Sequence, residues 1–289
     1  MDISQIKSEL SRKGYVVVPN VLTQDEIVQC LEWFRDWQSS IPNHDHQHGK
    51  LSPHGIYKFY QSGHQRHSWF IRTRPKVKEV FEGLWDTKSL VVSFDGSCYI
   101  PKNMKKKDNV WTHTDQGPGK KGLHCIQGYV ALTTNEERTF VCYEGTHNIH
   151  EKYFADKGIE KGGDWQVIDK DTVSALNEYK RVVKVEAGSL VLWDSRVFHQ
   201  NQYGKPGSEE RIVQYVCYLP KNHTNNTLAT RKKRQKYFDE LRTTSHWPCP
   251  IKVNGLQGRT FGDESLKIDY SLLRKPDLDD MMDNIKKLL

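Results

Sequence analysis

The stretch Gly188-Ser189-Leu190-Val191-Leu192-Trp193-Asp194-Ser195-Arg196-Val197-Phe198-His199 decides the architecture. Its apolar run is short, has no helical spacing, and is opened by Gly-Ser and closed by Asp-Ser. Such a run reads as a strand buried on both faces. Similar β-rich runs lie at residues 89–100, 123–133, 139–143, 181–185 and 211–219, bounded by Gly, Pro, Asn and Lys clusters. Many short strands with this punctuation point to a sandwich or jelly roll. Upstream the texture is helical. Residues 2–13 put Ile3, Ile6 and Leu10 on one face and end at Gly14; residues 15–18 form a brief β-run stopped by Pro19. Thr23-Gln24-Asp25-Glu26 is a capping box opening a helix that buries Ile27, Leu31 and Phe34, and residues 74–86 repeat the pattern with Val77, Val80, Phe81 and Leu84. Helices first and strands later make the class α+β. We expect one domain over residues 1–289: a mainly helical part to 88, a jelly-roll core over 89–220 with a polar insert at 144–180, and a C-terminal extension over 221–289 with an exposed basic helix at 228–242. Residues 43–55, rich in His, read as a polar loop.

Composition narrows the class. No stretch approaches the roughly 18–20 apolar residues of a membrane span, and residues 1–15 lack the apolar core of a secretory signal. The expectation is a cytoplasmic protein with no membrane partner. Six Cys without a CxxC pair read as buried, reduced thiols. Eight Trp and thirteen Tyr argue against disorder. A net charge of +7 permits a polyanionic partner without demanding one.

The chemistry starts at Trp111-Thr112-His113-Thr114-Asp115-Gln116. In an extended strand, side chains two apart share a face, so His113 and Asp115 present an imidazole and a carboxylate together. His199, just past the apolar run, offers the third ligand. Two His and one carboxylate on one face of an ion form the facial triad of non-haem Fe(II) oxygenases, which leaves positions open for chemistry. Twelve residues after His199, Arg211 opens the strand run 211–219. A buried Arg there needs an anionic partner, and its planar fork suits a carboxylate. A dicarboxylate could reach the metal with its 2-oxo-acid end and Arg211 with the other.

These residues together resemble the phytanoyl-CoA dioxygenase-like Fe(II)/2-oxoglutarate oxygenases. The resemblance runs from Gly14 to about Pro250. It rests on the opening strand and capped helix, the HTD motif, the strand Gly128-Tyr129-Val130-Ala131-Leu132-Thr133, the turn Glu144-Gly145-Thr146-His147, the 188–199 stretch and Arg211. It implies a double-stranded β-helix, metal ligands His113, Asp115 and His199, and Arg211 as the 2-oxoglutarate clamp. It places Tyr129 beside the cosubstrate, with Gln127 on the same face. It implies Fe(II), 2-oxoglutarate and O2, with ascorbate as a candidate reductant, and hydroxylation with release of succinate and CO2. The chain departs from the family at Asn135-Glu136-Glu137-Arg138, where a Glu-Asn-Gly turn is common.

The resemblance does not fix the substrate. Three stretches carry polar and aromatic groups beyond what a core needs: residues 64–72 with His64 and Arg72, Asp95 within its strand run, and Thr244, His246 and Trp247. They are the candidate substrate contacts for a small polar or amino-acid-like molecule. The basic runs at 105–107, 120–121 and 231–236 keep a nucleobase substrate open, and hydroxylation of a protein side chain is a further alternative. A non-catalytic jelly-roll binding protein is the competing class. His44, His46, His48 and His54 suggest a solvated loop, a second metal site or a lid over the substrate.

Overall fold

The computed structural model describes residues 2–289. In chain order its strands are β1 (Tyr15–Val18), β2 (Leu90–Val92), β3 (Ser97–Ile100), β4 (His113–Thr114), β5 (Ile126–Ala131), β6 (Phe140–Tyr143), β7 (Gln166–Val167), β8 (Lys180–Val182), β9 (Leu190–Asp194), β10 (Phe198–Asn201) and β11 (Arg211–Pro220). Its α-helices are α1 (Ile3–Lys13), α2 (Gln24–Ser39), α3 (His44–Leu51), α4 (Arg66–Thr73), α5 (Pro75–Trp85), α6 (His150–Asp156), α7 (Lys170–Ala175), α8 (Leu228–Asp239) and α9 (Met282–Lys286). They form two compact units, Met1–Pro19 with Ile100–Arg211, and Asn20–Tyr99 with Ile212–Leu289. The first helix and strand belong with the strands that come more than a hundred residues later.

In the first unit, β9 lies between β1 and β5 in one antiparallel sheet. It pairs β1 through Tyr15↔Trp193 to Val18↔Leu190, and β5 through Ile126↔Asp194 to Val130↔Leu190. All five residues of β9 are buried, as its apolar run requires. β5 approaches so closely at Gly128 that a Cβ there would sit 2.7 Å from the Val191 carbonyl oxygen. The second antiparallel sheet runs β7-β4-β10-β6-β8. The insert at 144–180 is better ordered than its polar composition suggests. It holds α6, β7 and α7, and buries Tyr153, Phe154, Ile168 and Val173 against Tyr143 and Phe198. Asp2 caps α1 by accepting from the Ser4 and Gln5 N–H groups, and Gly14 ends it at φ 84°, a left-handed conformation suited to glycine.

The second unit is mainly helical, with β2 antiparallel to β11. The capping box forms: Glu26 N–H donates to Thr23 Oγ1 (3.3 Å) and Thr23 N–H to Glu26 Oε2 (2.9 Å). Helix α2 buries Ile27, Cys30, Phe34 and Trp37. The Phe34 ring meets His67 edge-on at 5.2 Å, and Trp37 meets Tyr57 at 5.0 Å. The expected loop at 43–55 is instead α3 followed by one 3-10 turn. Helical spacing stacks His44 on His48 at 5.2 Å, and both find buried partners. His44 Nε2 lies 2.6 Å from Tyr57 Oη, and His48 Nε2 lies 2.9 Å from the Tyr99 carbonyl oxygen. Tertiary partners, which a composition-based reading omits, hold this polar segment as a helix. The basic helix forms as α8, but Arg234 is fully buried and donates to Asn226 Oδ1 (2.9 Å) and the Pro248 carbonyl (2.7 Å). All six cysteines are buried thiols. No helix among the described residues is long and apolar enough to cross a membrane.

Candidate metal centre

The two strands that carry the candidate histidines are neighbours, and their register sets His199 directly opposite His113. Their ring centroids are 4.4 Å apart. The sequence places His199 just past the end of a strand; it lies within β10, because the Asp194–Arg196 turn lets the chain start a new strand at once. Arg196 closes that turn with a 2.7 Å ion pair to Asp194. Asp115 follows His113 by two residues and keeps the same face, tied down where its N–H donates to the Ser195 carbonyl at 3.0 Å. Its Oδ1 lies 3.5 Å from His113 Nε2 and its Oδ2 3.2 Å from His199 Nε2. One ligand atom from each of the three lies within 4.8 Å of the others, and all three residues are buried.

The surroundings select the ligand atoms. His113 Nδ1 sits 3.1 Å from the Trp111 carbonyl oxygen and His199 Nδ1 3.0 Å from that of Val197. A carbonyl can only accept, so each proton resides on Nδ1 and each Nε2 lone pair faces the shared point. Gln127 Nε2 donates to Asp115 Oδ2 at 3.0 Å, which orients the carboxylate. Trp111 stacks on the His113 ring at 4.8 Å, and Thr146 Oγ1 accepts from Phe198 N–H at 2.9 Å, which fixes the strand beside His199. Two imidazole nitrogens and one carboxylate, converging and oriented by their own hydrogen bonds, suit a divalent transition metal. Among the described residues this is the one group of three or more such side chains that could hold an ion. The four histidines of the 44–54 segment do not form another.

Arg211 is fully buried in the same unit. Its Nη1 donates to the Arg138 carbonyl and its Nη2 to Asn201 Oδ1, each at 3.1 Å, and its guanidinium lies 4.9 Å from the Tyr129 ring centroid. Gln127 and Tyr129 alternate along β5 onto one face. The sequence reading did not single out Asn201, Trp193, Phe140 or Trp165. The Phe140 and Trp193 rings lie 5.4 and 5.5 Å from the His199 ring, and the Trp165 ring lies 5.4 Å from the His113 ring. The two-residue spacing from His199 along its strand was the available signal for Asn201. Nothing local marked Trp165, which sits in the insert.

The six candidate substrate residues all lie in the second unit. Four have backbone partners for their polar atoms. Arg72 donates to the carbonyls of Gly63 and Asp95, His64 Nε2 lies 3.1 Å from the Arg242 carbonyl oxygen, and Thr244 Oγ1 accepts from Phe94 N–H at 2.9 Å. Asp95 Oδ1 accepts from Gly96 N–H at 2.8 Å, and the His246 and Trp247 rings pack together at 5.2 Å. Burial pushes the His64 pKa down to about 3, with the nearby Arg72 charge adding to the shift.

The Phytanoyl-CoA dioxygenase (PhyH) family profile matches residues 10–202, a span that includes the whole triad. The chain belongs to the phytanoyl-CoA dioxygenase family. It is similar to Ava biosynthesis cluster protein O of Aspergillus versicolor, at 26% identity over 268 residues, covering 84% of this chain and 85% of that one. Among solved structures it is similar to EctD from S. alaskensis bound to 2-oxoglutarate and 5-hydroxyectoine (TM-score 0.53, 15% identity, 76% of each chain). It is also similar to hypothetical protein JW0805 from Escherichia coli (TM-score 0.67, 14% identity, 100% of this chain and 82% of that one). At these identities the structural likeness is one of fold. As a phytanoyl-CoA dioxygenase family member, the chain is an oxygenase that uses Fe(II), 2-oxoglutarate and O2, and the oriented His-Asp-His donor set fits that iron.

Proposed function

We propose that this oxygenase hydroxylates a small molecule, on a double-stranded β-helix built from its two antiparallel sheets. The observation that carries the reading is the His113↔His199 register with Asp115 on the same face, joined in one unit by the buried Arg211 over Tyr129. Bound iron with 2-oxoglutarate and O2 supplies the oxidising power, with succinate and CO2 released. The chain's residues do the rest. His113 and His199 bind through Nε2 and Asp115 through a carboxylate oxygen. The Trp111 and Val197 carbonyls and Gln127 hold these three in orientation. Arg211 receives the far carboxylate of the cosubstrate, with Tyr129 beneath its plane, and the Trp111 and Phe140 rings keep water from the ligands.

The rim near His113 bears on the substrate. Trp165 is 55% exposed although its ring lies close to a metal ligand, and Val167, opposite His113 in register, is 51% exposed. This surface favours a substrate presenting a flat or apolar face over an amino-acid-like one. The test is succinate release from 2-oxoglutarate under O2, compared with Asp115→Ala, across a panel of small molecules with mass analysis of products. A product heavier by one oxygen, absent with Asp115→Ala, is the expected result. Products that gain no oxygen atom would overturn the hydroxylation. Succinate release no greater than that of Asp115→Ala would overturn the whole reading.

A further inference from the structure

A buried indole N–H must find an acceptor or remain desolvated without one, which costs stability. Buried Trp37 and half-buried Trp85 and Trp111 solve this within the chain: each donates Nε1–H to a backbone carbonyl, at 3.3, 2.9 and 2.9 Å. Trp193 does not. It is 3% exposed, and its Nε1 has no hydrogen-bond partner. Trp69 shares that condition, but it is packed among the rings of His64, Phe94 and Phe238.

The position of Trp193 is different. On β9 it pairs directly with Gln127 of β5, the residue that orients Asp115. Directly opposed residues of antiparallel strands share a face, so the indole stands on the side of the sheet that carries Gln127 and Tyr129. Its ring lies 5.5 Å from that of the metal ligand His199 and 6.0 Å from that of Tyr129, over which Arg211 lies. It therefore borders both the metal ligands and the guanidinium. A dicarboxylate joining those two places would bring acceptor oxygens to the indole.

We infer that Trp193 Nε1–H donates a hydrogen bond to a carboxylate oxygen of bound 2-oxoglutarate, as a cosubstrate-binding donor alongside Arg211. The inference rests on the proposed function. It explains a buried donor that the protein itself does not satisfy, since the cosubstrate would supply the acceptor.

The test is titration of 2-oxoglutarate into Mn(II)-loaded protein without O2, comparing wild type with Trp193→Phe, which keeps an aromatic ring and removes the N–H. A hydrogen bond to a charged acceptor predicts a rise in Kd of roughly tenfold or more, with Mn(II) affinity unchanged. The metal-free variant should melt no lower than wild type. In parallel, the wild-type protein, 15N-labelled at tryptophan and loaded with Zn(II), should show the Trp193 indole proton moving downfield when 2-oxoglutarate is added. This readout does not depend on the variant folding. Unchanged 2-oxoglutarate affinity in Trp193→Phe, or an indole resonance that does not move, overturns the inference alone. A loss of 2-oxoglutarate affinity matched by a loss of Mn(II) affinity overturns it too, because Trp193 would then be a packing residue. If wild type binds no 2-oxoglutarate, the proposed function fails and the inference falls with it.

Discussion

Replacing Arg211 by Lys keeps a positive charge and removes a plane. In the structure that plane makes two bonds at once, to the Arg138 carbonyl and to Asn201 Oδ1, while lying over Tyr129. A lysine ammonium is a point charge on a flexible stem and cannot repeat the fork. A hydrogen bond to a charged group is worth about 1.5–3 kcal/mol. Losing one arm of a bidentate carboxylate contact should therefore weaken 2-oxoglutarate by about 10- to 150-fold. The triad does not include Arg211, so the metal affinity should stay within about threefold of wild type. The assay is calorimetric titration of Mn(II), then of 2-oxoglutarate, into the same anaerobic sample, with circular dichroism to show that the variant is folded. A folded variant that binds 2-oxoglutarate as wild type does would refute the assignment of Arg211 as the clamp. A parallel loss of metal affinity would show that Arg211 supports the strands and leave the clamp to another residue.

Gln127→Leu removes the side-chain donor to Asp115 Oδ2; metal affinity should fall by about 10- to 100-fold, and unchanged Mn(II) binding in titration would count against Gln127 as the orienting group. His199→Ala leaves two ligands two residues apart in the chain, and metal binding at micromolar ion should be lost; a retained stoichiometry of one ion per chain would place the site elsewhere. His64 and His67 are fully buried with pKa values pushed down to about 3, desolvation being the main cause and the Arg72 charge the second. Both stay neutral when folded and take up protons when unfolded near pH 6.5, so their contribution to stability is fully present above pH 6.5 and is lost as pH falls toward 3. Each should cost about 2 kcal/mol at pH 5, and His67→Gln should flatten the pH dependence of unfolding by that amount; an unchanged slope in denaturant melts between pH 7.5 and 5 would exclude His67 from the effect.

The triad was legible because its geometry is short-range: a spacing of two on a strand, and a histidine at the end of an apolar run. The register that sets His199 against His113 was not, because it depends on the pairing of strands more than eighty residues apart in sequence. The capping box at Thr23 and Glu26 and the end of α1 at Gly14 follow from local backbone chemistry, so they could be read directly. Helix α3 was missed for the opposite reason. Its His and Gln side chains are held by Tyr57, Tyr99 and Ser265, none of which is adjacent in sequence. A similar effect shaped the reading of His64, Arg72 and Thr244. All three bond backbone groups, the carbonyls of Arg242, Gly63 and Asp95 and the Phe94 N–H, which no spacing in the sequence brings near them. Trp193 could be placed in the core by its apolar neighbours, but the lack of a partner for its N–H is visible only in three dimensions.

The pairing of β1 with β9 also sets the order in which the metal-binding unit can be built. Tyr15–Val18 must wait for a partner strand about 175 residues later in the chain. At about 5–20 residues per second, a ribosome takes roughly ten to thirty-five seconds to cover that distance. Through that interval the Val16-Val17-Val18 edge has no β9 to cover it, while most of the 20–99 segment of the other unit has already been synthesised. An exposed, β-branched strand of this kind invites wrong pairing. Refolding yield should therefore depend on concentration, and a chaperone acting on the nascent chain would have its first target in the residues that come to lie beside Trp193.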